Sequence, residues 1–95
     1  MKFDEFDKII EDLEEFKSSN NQSEIYFIKK NLIKLEKKIS RQINPKNRND
    51  IIIILSTLKE ISNEYFNKKF YDLNELDYYM GIILNLKEEL DLINY

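Results

Sequence analysis

Ile51-Ile52-Ile53-Ile54-Leu55, directly after Asp50, is the longest unbroken apolar run of the 95-residue chain. Its reading as strand or helix fixes the fold class, and a short apolar run taken alone suits a buried strand as well as a buried helix. The residues that follow choose between them. Ile51, Ile54, Leu55, Leu58, Ile61 and Tyr65 recur at helical spacing, so the sequence predicts a third helix over about 50–70, capped by Asn49 or Asp50. Ile52 and Ile53 fall off that stripe and call for a second cover, from helix one, a twin subunit or a partner.

Working toward the N-terminus, Asn44-Pro45-Lys46-Asn47-Arg48-Asn49 breaks the pattern, because Pro45 lacks a backbone N–H and disfavours helical geometry at Asn44. Before it, Ile25, Ile28, Leu32, Leu35, Ile39 and Ile43 step by three and four. They predict a second helix over 22–43 that starts near Asn21 or Ser23, with Asn21 and Glu24 at capping-box spacing. The polar stretch 18–23 reads as a loop. Phe3, Phe6, Ile10, Leu13 and Phe16, widened by Ile9, predict a first helix over 4–17, with Asp4, Glu5 and Asp7 favourably placed at its positive end.

Toward the C-terminus, Asp72 and Glu75 again have capping spacing. Leu76, Met80, Ile83, Leu86, Leu90 and Ile93 carry a fourth helix over 73–94. Gly81 inside it costs about 1 kcal/mol relative to Ala, and is tolerated most easily where another backbone passes close by. Four amphipathic helices with short connections imply an all-α, antiparallel four-helix bundle forming a single domain over 1–95. A three-helix core with helix one detached or swapped is the alternative.

Composition narrows the chemistry. Ile, Leu and Phe supply 32 of the 95 residues, enough apolar surface for a folded core. Neither Cys nor His is present, which removes thiolate chemistry and both the commonest general base and the commonest metal ligand. A single Gly leaves no phosphate-binding loop, so no cofactor is expected. Exposed pairs such as Glu11/Glu15 or Glu88/Glu89 lack the buried setting that tunes a carboxylate, and make poor acid–base catalysts. The chain therefore reads as a non-enzyme. The acidic start has no apolar signal-peptide segment and no run is long enough to span a membrane, so a cytoplasmic location is expected. Plentiful Ile, Lys and Asn without Val or Ala suggests an AT-rich genome, that of a bacterium, a phage or another AT-rich source.

Charge is unevenly distributed. Residues 1–17 hold three Lys against seven acids, 29–48 hold eight Lys and Arg against Glu36 alone, and 71–95 hold Lys87 against six acids. Lys30, Lys34, Lys37 and Arg41 step by four, three and four into one ridge on helix two. That ridge reads either as a phosphate-tracking surface for nucleic acid or as a solvated face beside acidic helices. The net charge of −3 favours the second, as does a helix two–three connection unlike the tight turn of a helix-turn-helix.

On helix one, Asp4, Glu5, Glu11, Asp12 and Glu15 are expected to face solvent and to steer a basic partner. Tyr65, Phe66, Phe70, Tyr71, Tyr78 and Tyr79 crowd half of the twelve aromatics into fifteen residues, with Phe66 and Tyr78 off the stripe. Tyrosine recurs at interface hot spots, and Asp72, Glu75 and Asp77 lie beside the cluster. The leading expectation is a small binding protein that masks the basic surface of another protein, as an immunity protein, an antitoxin or a phage-type inhibitor would. Its contacts would come from Tyr71, Asp72, Glu75, Tyr78 and Tyr79, aided by Glu11, Asp12 and Glu15. A nucleic-acid-associated regulator using the basic ridge and a structural homodimer are the other classes.

Overall fold

The computed structural model describes residues 3–93, which form four α-helices in up-down-up-down order. These are α1 (Asp4–Ser19), α2 (Gln22–Gln42), α3 (Asn49–Glu64) and α4 (Leu73–Leu92), with a 3-10 turn at Tyr65–Asn67. No strand occurs among the described residues. The all-α bundle expected from the apolar periodicities is the observed fold, 40 × 21 × 20 Å along its principal axes.

Helix α1 packs between α2 and α4, and α2 packs between α1 and α3. The backbones of α3 and α4 stay further apart, leaving a seam along one side. Antiparallel order shows in the cross-links: Lys38 near the end of α2 holds Glu5 near the start of α1 at 3.0 Å, and Lys87 late in α4 holds Asp7 at 2.6 Å. Lys17 at the end of α1 pairs with Asp77 early in α4. Exposed pairs of this kind each contribute at most about 1 kcal/mol, so they report the register more than they hold it. Phe6, Ile9, Leu13 and Phe16 of α1 are buried in the shared core. Helix one is thus an integral wall of the bundle and not a detached element. Its stripe is centred on Ile9, with Ile10 only half-buried, a shift of one residue from the sequence reading.

Helix ends follow the side chains available. Asn20 closes α1 in the left-handed region (φ 55°), its N–H reaching the Phe16 carbonyl at 2.8 Å, a conformation Asn adopts more readily than most residues. The Asn21 side chain caps α2 by accepting the Ser23 N–H at 3.1 Å, and Asp72 caps α4 by accepting the Asn74 N–H at 2.8 Å. The expected cap of α3 is displaced. Arg48 holds that position without a side-chain cap, Asn49 is already helical, and Asp50 instead accepts the Ile51 N–H (2.9 Å) and the Arg48 fork (3.0 and 3.1 Å).

The run that fixes the fold opens α3 as a helix. Ile51 and Ile54 are fully buried, whereas Ile52 and Ile53 are 45% and 62% exposed. Ile53 and Leu92 border an apolar cleft of about 420 Å³ at the open end of the α3–α4 seam. Neither surplus isoleucine is covered by helix one.

Gly81 departs from expectation. It is exposed, and a Cβ built there meets nothing within 4 Å, so no approaching backbone requires it. Only the helix-propensity cost remains. Gly81→Ala is expected to stabilise the protein by about 1 kcal/mol and to raise its melting temperature by roughly 4–8 °C in a circular-dichroism melt. An unchanged or lower melting temperature would refute this.

Candidate functional site

The aromatic cluster gathers at the pole where α3 hands over to α4. The sequence reading ran helix three on to residue 70; the α-helix instead ends at Glu64, and Phe66 leaves helical geometry with ψ 32°. Neighbours in an α-helix diverge by about 100°, so Tyr65 and Phe66 cannot both point inward from one. The 3-10 turn buries both, each 2% exposed, which corrects the expectation that Phe66 lies off the core. Beyond the turn Phe70 projects outward, 89% exposed.

Tyr65 is the hub. The Tyr79 ring stacks on it (3.7 Å between centroids, 24°), while Phe66 and Tyr71 meet it edge-on at 4.9 and 5.3 Å. Lys68 Nζ sits 4.9 Å above the Tyr65 ring and donates to Glu75 at 2.9 Å, a bond that raises the lysine's pKa. The Lys68 N–H donates to the Tyr71 hydroxyl at 3.1 Å. Burial pushes the Tyr65 phenol far above the ordinary tyrosine value, and its hydroxyl has no hydrogen-bond partner among the described residues.

The five residues expected to form the binding patch therefore divide by role. Tyr71 and Tyr79 are half-buried in the cluster, Asp72 caps α4, and Glu75 is held by Lys68. Tyr78 alone stands free, 65% exposed, with only an edge-on contact to Tyr79 (5.3 Å). It borders a cleft of about 230 Å³ across the α3–α4 seam, whose far wall carries Glu60 and Glu64. Both glutamates are exposed and without an ion-pair partner among the described residues. The sequence reading missed them, although their i, i+4 spacing on the polar side of α3 was visible.

The helix-one acids lie elsewhere, along the α1–α2 seam. Glu11 and Glu15 are exposed as expected, but Glu5 is half-buried under Lys38 and Asp12 is buried at 5% exposure. Asp12 is three residues after Ile9 and four before Phe16, both buried, so it shares their flank against α2. Its Oδ2 has no hydrogen-bond partner among the described residues, and burial raises its pKa, with Lys8 and the Asn31 side chain opposing and Glu11 and Glu15 reinforcing the shift. Glu24 across the seam is also raised, through desolvation and then Asp12 and Glu15. Asp12 is thus withdrawn from any surface contact, and Glu11 and Glu15 are not brought beside Tyr78.

All four cations of the α2 ridge, Lys30, Lys34, Lys37 and Arg41, are exposed. No group of three or more metal-ligating side chains occurs among the described residues, and no helix there is long and apolar enough to cross a membrane. No protein-family model, curated protein or solved structure matches the chain.

Proposed function

We propose that the protein is a non-enzymatic binding protein that masks a basic surface on another protein, in the manner of an immunity protein, antitoxin or phage-type inhibitor. The observation that carries this reading is Tyr78, an exposed aromatic ring over a cleft rimmed by the exposed carboxylates of Glu60 and Glu64, which have no ion-pair partner among the described residues. An arginine or lysine entering that cleft would gain a ring face and two carboxylates at once. Tyr79, stacked on Tyr65 and meeting Tyr78 edge-on at 5.3 Å, ties the exposed ring to the buried cluster. Glu11 and Glu15 act at longer range, raising the association rate by their charge.

The test uses the protein as bait to capture its partner, followed by affinity measurement with Tyr78→Ala and with Glu60→Lys/Glu64→Lys. Both changes are at exposed positions and should leave the helical signal and melting temperature nearly unchanged. Tyr78→Ala should weaken binding at least tenfold, as expected for a hot-spot tyrosine. Unchanged affinity in both folded variants would refute the assignment.

A further inference from the structure

The outer face of α2 carries a second surface, and it faces away from Tyr78, since α2 stands diagonally across the bundle from α4. Lys30, Lys34, Lys37 and Arg41 run along it without an ion-pair partner among the described residues. Two carboxylates close to the ridge are engaged elsewhere, Glu36 by Lys59 at 3.4 Å and Glu5 by Lys38 at 3.0 Å. Toward the end of the ridge, Lys34, Lys37, Lys38 and Arg41 line a cleft of about 560 Å³ in which Glu5 is the one acid. On the α1 side, Lys34 and Lys8 share a shallower cleft with the acids Asp4, Glu5, Asp7 and Glu11.

At the other end of the same face two aromatic rings are exposed. Tyr26 is 63% and Phe27 47% exposed, packed edge-on against each other at 5.5 Å. Neither belongs to the buried stripe of Ile25, Ile28 and Leu32. A purely solvated helix face needs no such pair. From the aromatic pair to Arg41 the helix rises about 20 Å, a length that several nucleotides can follow.

We infer that this face of α2 binds single-stranded nucleic acid, with phosphates on Lys30, Lys34, Lys37 and Arg41 and bases against Tyr26 and Phe27. A single strand would use both halves of this face at once, its phosphates on the cations and its unstacked bases on the two rings. A duplex is disfavoured, because its bases are not free to stack on the two rings.

The test is fluorescence anisotropy of the full chain with a labelled oligothymidylate of about 20 nucleotides, titrated at several salt concentrations. Four neutralised phosphates should give a slope of log K against log salt near −3, and Lys34→Ala should flatten it by about 0.7. Tyr26→Ala and Phe27→Ala should each weaken binding by about tenfold with the slope unchanged. All three positions are exposed, and circular dichroism verifies folding before affinities are compared. The inference is overturned by absence of binding at low salt, or by equal affinity for polyglutamate. Tighter binding to the matching duplex, preferential capture on phosphatidylserine vesicles, or indifference to both aromatic substitutions would overturn it as well.

Discussion

Tyr65→Ala is expected to destabilise the protein by about 3–5 kcal/mol, lowering its melting temperature by something on the order of 20 °C. A domain of this size holds only about 5–15 kcal/mol in total, so the substitution brings folding near its threshold. The reason is the position of the ring at the centre of the polar cap of the bundle, with Tyr79 stacked on one face and Phe66 and Tyr71 edge-on. Removing it leaves a void that three further aromatic rings line, and the 3-10 turn loses what holds it against the core. Tyr65→Phe separates ring from hydroxyl. The buried hydroxyl has no partner among the described residues, so deleting it should leave stability unchanged or raise it by up to about 1 kcal/mol. Denaturant unfolding of the two variants side by side checks both halves. A clear loss of stability in Tyr65→Phe would show that the hydroxyl does bond.

Asp12→Asn is expected to stabilise the protein at pH 7, because it removes a carboxylate charge that burial disfavours. Oδ2 of Asp12 is buried without a hydrogen-bond partner among the described residues, and burial lifts the carboxyl above its ordinary pKa of 3.8. A carboxyl whose folded pKa is raised binds its proton more readily in the folded than in the unfolded chain. Ionised Asp12 therefore costs stability at neutral pH, and the cost is relieved as pH falls through the folded pKa. The advantage of Asp12→Asn should shrink over that interval and vanish below the ordinary value of 3.8. Urea unfolding of both proteins between pH 3 and 7 measures it. A difference that does not vary with pH, or a less stable Asn variant at pH 7, would mean that the carboxylate is paired in solution.

Most of the fold was legible because the apolar steps of three and four are long and clean. The stripe of α2 from Ile25 to Ile39 is buried residue for residue. The end of α3 was not legible, since Asn67-Lys68-Lys69 contains no Pro or Gly to stop the helix. The stop comes instead from packing, as the core draws in both Tyr65 and Phe66. Asp12 was misread for a related reason: a charged residue was assigned to solvent by its type, although its place between Ile9 and Phe16 put it on the flank facing α2.

The candidate site was legible in part. Tyr78 was found because it breaks the stripe of α4, whereas Glu60 and Glu64 become its neighbours only when α3 and α4 fold back on each other. Tyr26 and Phe27 are off-stripe in the same way as Tyr78, and the same register argument points to them.

Antiparallel packing has a practical corollary for anything attached to the protein. Asp7 and Lys87 meet at 2.6 Å, which puts the beginning of α1 and the end of α4 at one pole. Tyr65, Tyr78 and Tyr79 lie toward the other, and a helix the length of α4 separates the poles by about 30 Å. A fluorophore or affinity handle attached to a side chain in the first turn of α1 or the last turn of α4 would thus sit at the back of the molecule. Tethered to a sensor surface in that way, the protein would present its aromatic pole outward, whichever helix carries the handle.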